Sequence, residues 1–154
     1  MAQVAIITAS DSGIGKECAL LLAQQGFDIG ITWHSDEEGA KDTAREVVSH
    51  GVRAEIVQLD LGKLPEGAQA LEKLIQRLGR IDVLVNNFGT SNLGKDLDFA
   101  HTDPAVFLDT VQLNLRSVFM AGQAAAKHMA QQGGGSIINI SSVGGAVPDI
   151  SQIA

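Results

Sequence analysis

Short runs of β-branched and other apolar residues alternate along this chain with segments whose apolar residues recur at helical spacing, and glycine closes several of the helical segments. Val4 to Thr8 reads as a buried strand, followed by a serine, aspartate and glycine turn. A helix is expected from Ile14 to Gln25, with Ile14, Cys18, Leu21 and Leu22 as its apolar face and Gly26 as its stop. The pattern repeats with a strand at Asp28 to Trp33, a polar-faced helix at Glu37 to His50 ended by Gly51, and a strand at Arg53 to Leu59. A helix from Pro65 to Leu78, a strand from Ile81 to Val85, a long helix within Pro104 to Gln131 and a strand from Ser136 to Ile140 complete it. Five strands alternating with four helices imply right-handed parallel crossovers, hence an α/β fold with a doubly wound parallel sheet. Ligands of such sheets sit beyond the carboxyl ends of the strands, and the irregular stretch Thr90 to Thr102 is expected there as a surface loop.

The length of 154 residues suits one domain with a real core, so residues 1–154 are expected to form a single domain. With 45% hydrophobic and 19% charged residues the chain falls in the globular range, which excludes disorder as its main theme. A formal net charge of −7 repels nucleic acid and anionic membrane surfaces, so neither is expected as a partner, and any bound anion must be held by local backbone geometry. The opening MAQVAIITAS lacks a basic leader region and no apolar run has the length of a membrane span, which makes the cytoplasm the expected location. The single cysteine, Cys18, excludes an internal disulfide and a thiolate metal cluster, and its place on the first helix marks it as a packed thiol.

After the first strand comes Thr8-Ala9-Ser10-Asp11-Ser12-Gly13-Ile14-Gly15, running straight into the first helix. Glycines 13 and 15 let backbone approach a pyrophosphate, and the unpaired N–H groups and positive end of the helix dipole stabilise its charge. A glycine pair before a helix is a weak signal alone, and its position after the first strand of a parallel sheet strengthens it. A P-loop is excluded because Lys16 is followed by Glu17 and the upstream glycine is absent.

These residues resemble the short-chain dehydrogenase/reductase family, whose opening motif is Thr-Gly-x-x-x-Gly-x-Gly, with Ala9 in place of the first glycine. The resemblance continues through Asp60-Leu61 after the third strand, Asn86-Asn87-Phe88-Gly89 after the fourth, Asn114 within Asn-Leu-Arg-Ser-Val-Phe, and Ile138-Asn139-Ile140-Ser141-Ser142 at the fifth. It implies a Rossmann fold, incomplete at its C-terminal side, and a nicotinamide dinucleotide held by Ala9, Ser10, Asp11, Ser12, Gly13, Ile14 and Gly15. It further implies that Asp60 contacts the adenine, that Leu61 helps form its pocket, and that Asn87, Phe88 and Gly89 line the cofactor near the sheet centre. Read as residues alone, Asp60 also fits a turn or helix-capping aspartate, and Asn86 and Asn87 fit a turn after a strand. Phe88 departs from the alanine usual in the motif, and its ring either narrows the cleft or packs against a changed neighbour.

No carboxylate stands at Trp33 or His34, where one would bind the ribose hydroxyls of NAD, so NADP is preferred and NAD stays open because Asp36 is close. His34 and Ser35 are candidate donors to the 2′-phosphate, though His34 also fits a solvent-facing loop residue. The family chemistry implied is hydride transfer between nicotinamide and a carbonyl or alcohol carbon, with Ser142 bonding the reacting oxygen and Asn114 supporting a water-linked proton path. The family's proton-transferring Tyr-x-x-x-Lys pair would begin immediately beyond Ala154, and the 154 residues contain no tyrosine. The 154-residue chain alone is therefore expected to be inactive. His50, His101 and His128 are expected to lack ordered partners, and Lys127 and His128 to be solvated. A small carbonyl or alcohol substrate and a homo-oligomer are implied by the resemblance, while a non-catalytic dinucleotide sensor or scaffold, and more distantly a methyltransferase-like domain, are the alternatives.

Overall fold

The computed structural model describes residues 2–63, 66–92, 94–95 and 97–142. Strands β1 (Val4–Ile7), β2 (Asp28–Trp33), β3 (Ala54–Gln58), β4 (Val83–Asn86) and β5 (Ser136–Asn139) alternate with helices α1 (Gly13–Gln24), α2 (Glu37–Ser49) and α3 (Glu66–Leu78). Between β4 and β5 runs one long helical segment, made of α4 (Pro104–Val111), a π-helical turn at Gln112–Arg116 and α5 (Ser117–Gln131). The expected helix start at Pro65 and the stretch 143–154 lie outside the described residues.

All strand pairs are parallel, in the order β3-β2-β1-β4-β5, so the doubly wound sheet is present. β1 is its centre, with every residue from Val4 to Ile7 fully buried. Alternation along that strand divides the core in two. Val4 and Ile6 face α3 and α5, meeting Leu71, Leu74, Ile75, Ala121, Ala125 and Met129. Ala5 and Ile7 face α1 and α2, meeting Ala19, Ala23, Ala40 and Val47. Chain order reverses at β1, because β2 and β3 extend to one side and β4 and β5 to the other. That reversal places a crevice between the carboxyl ends of β1 and β4.

Two sequence expectations need correction. The face that α1 buries is Gly15, Ala19 and Ala23, while Ile14 and Leu21 are 64% and 60% exposed. The helix lies close on the sheet, and only small side chains fit the line of contact. Cys18 and Leu22 pack on its flank, partly buried, so Cys18 is the packed thiol expected. β4 starts at Val83 rather than Ile81, because the Gln132 side-chain amide takes both the N–H and the C=O of Ile81 in place of a neighbouring strand.

Candidate active site and cofactor cleft

Thr8, at the end of β1, is 1% exposed and holds the two central strand ends together. Its Oγ1 accepts from the backbone N–H groups of Asn87 and Phe88, both at 2.9 Å. The Asn87 amide returns the contact, donating from Nδ2 to the carbonyls of Thr8 at 3.1 Å and Ala9 at 3.0 Å. On the other side Thr32 Oγ1 accepts from Ala9 N at 3.0 Å, and the Thr32 carbonyl accepts from Ser10 N at 2.9 Å. The turn is thus pinned to β2 and β4 before any ligand arrives. Thr8 and Thr32 were not singled out from the sequence. Their one signal there is a hydroxyl in otherwise apolar strands, since such a group, once buried, must find partners.

Within the turn, Gly15 is required by space: a Cβ there would lie 2.2 Å from the Ala9 carbonyl oxygen and 2.6 Å from Asn87 Nδ2. Gly13 is required by conformation, with φ of +53°, and has open space beside it. Ala9 adopts φ of +50° without being glycine. Ser12 is the N-cap of α1, yet its side chain caps nothing and the first turn holds no acidic residue. Among the described residues no side chain caps the N–H groups opening α1, whereas Asp36 caps α2 through Gly39 N and Asp103 caps α4 through Ala105 N. Glycine-limited approach together with an uncapped, positive helix end fits a dinucleotide's diphosphate. Ser12, Gly13 and Ile14 are exposed at this mouth and Asp11 is partly so. Ser10 is fully buried, its hydroxyl donating to the Ile7 carbonyl and accepting from Thr32 N, so its side chain braces the turn from within.

At the outer end of the crevice, Asp60 Oδ1 accepts from Gly62 N at 3.0 Å and lies 3.7 Å from His34 Nε2, and Oδ2 lies 3.3 Å from Lys63 Nζ. Partial burial pushes the Asp60 carboxyl up, but the Lys63 ammonium, the Gly62 N–H and the His34 ring outweigh it and leave the group below its ordinary value. Asp36 Oδ1 accepts from Gly39 N in the α2 cap, and both Asp36 and Ser35 are exposed. Leu61 is 3% exposed and packs with Leu59, Ala70 and Phe88. Phe88 packs on that cluster and also lines the inner cleft.

That inner cleft, of about 590 Å³, is lined by Asn87, Phe88, Gly89, Thr90, Asn114 and Ser142 among others, which draws residues from three separate motifs to one place. Asn114 sits in the π-helical turn, a form frequent at functional sites. Its Oδ1 accepts from Thr90 N at 2.8 Å and its Nδ2 donates to Thr90 O at 2.7 Å, so the side chain clamps the loop after β4. Asn86 Nδ2 donates to Asn139 Oδ1 at 2.9 Å, joining the ends of β4 and β5 beside the cleft. His101 is not without a partner, as had been expected: its Nδ1 lies 2.7 Å from Asp98 Oδ1 in an exposed loop turn. Among the described residues no cluster of potential ligands fits a metal ion.

Comparison with known proteins agrees with this geometry. The chain is 72% identical over 144 residues to an uncharacterized oxidoreductase, YohF, of Escherichia coli, covering 93% of this chain and 56% of that protein. The crystal structure of acetoin dehydrogenase YohF from Salmonella typhimurium superposes with a TM-score of 0.94 at 55% identity, over 99% of this chain and 59% of the other. An actinorhodin polyketide ketoreductase solved with NADPH matches at 32% identity and TM-score 0.87, over 98% of this chain and 57% of the other. A carveol dehydrogenase of Mycobacterium avium, solved with NAD, matches at 28% identity and TM-score 0.88, over 97% of this chain and 58% of the other. The chain thus spans under two-thirds of the length of these relatives. The sequence pattern of the short chain dehydrogenases matches residues 3–154, and the chain belongs to that family.

Proposed function

We propose that residues 1–154 are the dinucleotide-binding domain of an oxidoreductase that moves hydride between NADP(H) and a small carbonyl or alcohol substrate. The observation that carries this reading is the meeting of an uncapped α1 N-terminus with the cleft holding Asn87, Asn114 and Ser142, at the point where strand order reverses. When bound, the nicotinamide supplies the hydride chemistry. The protein's part is to bind and orient. The backbone of Ala9 to Gly15 receives the diphosphate, Asp60 and Leu61 the adenine end, and Asn87 with Phe88 and Gly89 the middle. Ser142 holds the reacting oxygen, and Asn114 positions the loop at Thr90. The family's proton-transferring tyrosine and lysine are assigned to sequence following Ala154 in the whole protein.

NADP is preferred over NAD because no carboxylate stands at Trp33 or His34 and Asp36 gives its Oδ1 to the α2 cap. Likeness to an acetoin dehydrogenase supports a small hydroxyketone as substrate. No described helix is long and apolar enough to cross a membrane. Leu108, Leu115 and Phe119, each about two-thirds exposed along the helical segment from Pro104 to Gln131, suit a homo-oligomer joined through that face.

The test joins binding to turnover. The 154-residue chain should quench or shift NADPH fluorescence without oxidising NADPH in the presence of acetoin or its diketone. The whole protein should oxidise it, and Ser142→Ala should lower kcat by about 10²-fold or more with cofactor affinity unchanged. Binding without turnover by the whole protein on any carbonyl would favour the sensor reading instead.

A further inference from the structure

We infer that Ser117 is a positioning residue of the cofactor cleft: its hydroxyl fixes the turn after β3, and so sets where Asp60 and Leu61 meet the adenine end of a dinucleotide. This rests on reading Asp60 and Leu61 as that end. Ser117 opens α5 and is fully buried. Its Oγ lies 3.2 Å from Leu61 O and 3.2 Å from Gln112 O, with a single proton to give. The Gln112 carbonyl already accepts the backbone N–H of Ser117, whereas Leu61 O has no other hydrogen bond among the described residues. Leu61 is 3% exposed, so its carbonyl needs that donor.

The turn has little else to fix its place. β3 ends at Gln58, and the sheet's last hold on this strand is Leu59 N donating to Trp33 O at 2.8 Å. From Asp60 to Lys63 the contacts are internal. Lys63 N donates to Asp60 O at 3.2 Å, Gly62 N donates to Asp60 Oδ1 at 3.0 Å, and Lys63 Nζ lies 3.3 Å from Asp60 Oδ2. Such bonds shape the turn and leave its position over the sheet open. From outside come the packing of Leu61 on Leu59, Ala70 and Phe88, and Leu113 Cδ2, which would lie 3.7 Å from a Cβ on Gly62. Apolar packing has no preferred direction, and a hydrogen bond has one. The bond from Ser117 therefore sets where the turn sits.

The π turn is what brings this serine round. One residue more in the turn Gln112–Arg116 rotates the helix beyond it by about 100° relative to a regular α-helix, and Ser117 is the first residue after it. The same turn carries Asn114, whose amide holds Thr90 N and O. One short stretch thus grips the loops after β3 and β4 together, and keeps the adenine end at a set distance from the inner cleft.

The experiment measures Kd on the whole protein and on its Ser117→Ala variant, for NADPH by its fluorescence and for AMP and nicotinamide mononucleotide by displacement of NADPH. AMP carries the adenine end, and the mononucleotide lacks it. Loss of one neutral hydrogen bond should weaken AMP and NADPH about fivefold and leave the mononucleotide within about twofold. A general loosening of the fold would weaken both fragments alike. Ser117→Cys keeps the volume with a weaker donor, so it should shift AMP in the same direction by less, and it replaces S117A if that variant does not fold. Equal weakening of the two fragments, or AMP binding unchanged, overturns the inference while the dinucleotide reading stands. Failure of AMP to displace NADPH from the unaltered protein also overturns it, because the adenine end would then carry no affinity. Absence of NADPH binding by the unaltered protein overturns both.

Discussion

Ala9 holds φ of +50° at a place where the family motif has glycine. An L-residue in the left-handed region costs about 1–2 kcal/mol, and glycine's greater freedom when unfolded returns part of that. Ala9→Gly should therefore stabilise the fold by about 1 kcal/mol and raise Tm by about 2–4 °C in thermal unfolding. An unchanged or lower Tm would show that the Thr32 and Asn87 contacts, and not the residue type, decide the local energy. Gly15→Ala works in the opposite direction, because the added methyl meets a carbonyl oxygen at 2.2 Å that is itself held by Asn87. It should cost about 1–3 kcal/mol in denaturant titration and abolish NADPH binding, since the turn must open to admit it. Residues at this scale were legible where type alone restricts the backbone, as at Gly13 and Gly15, and the strand-end motifs led to Asn87 and Ser142, which line one cleft. What could not be read were the partners: that Ser10 turns inward, that Asp36 caps α2, and that Asn114 grips Thr90 depend on contacts across 22 to 24 residues or on a local bond the spacing does not reveal.

Strands and helices were foreseen in number and order because alternation and period are properties of contiguous sequence. The errors fell on faces and ends. For α1, hydrophobicity pointed to Ile14 and Leu21, while close packing on the sheet selected the small residues at 15, 19 and 23. For β4, the true start reflects a side chain from the far end of α5. The ends of β1 and β4 opposite the cleft are tied in a way that yields a prediction. Asp82 Oδ2 accepts from Val4 N at 2.8 Å, and the carboxylate takes two bonds from Arg80, at 2.8 and 2.6 Å. Burial pushes the Asp82 carboxyl up, but Arg80 and the Val4 N–H together draw it below its ordinary value. A lowered folded-state pKa means stability that is present above the unfolded value of about 4 and lost as pH falls through the folded value. Urea titrations at stepped pH should thus show wild-type stability declining below about pH 4, and Asp82→Asn should be about 1–3 kcal/mol less stable at neutral pH with a shallower acid slope. Equal slopes in the two proteins would remove Asp82 from the acid response.

At the scale of the whole molecule the two halves of the sheet differ in cover. β1 is fully buried and β2 nearly so, β3 is half-buried along most of its length, and every residue of β5 is exposed, Ile137 by 40% and Ile138 by 46%. Among the described residues β5 pairs only with β4. The second open surface lies on the long helix, where Leu108, Leu115 and Phe119 are 64%, 67% and 65% exposed. Their spacings of seven and four residues keep them on one side of the helix. An apolar stripe of this kind is costly to leave in water, and a two-fold partner presenting the same stripe would bury each of these side chains twice. Burying one such side chain contributes about 1.5 kcal/mol or more, so loss of Leu115 from both copies removes about 3 kcal/mol, a factor of about 100 in the dissociation constant. Leu115→Glu should therefore shift the association curve in sedimentation equilibrium by about two decades of concentration, with unchanged far-UV circular dichroism because the residue is already solvent-facing. If the wild-type chain is monomeric throughout, or if L115E associates as strongly as wild type, the stripe is not the joining face. If a surviving association uses the exposed Ile137 and Ile138 of β5 instead, Ile138→Lys should weaken it where L115E does not.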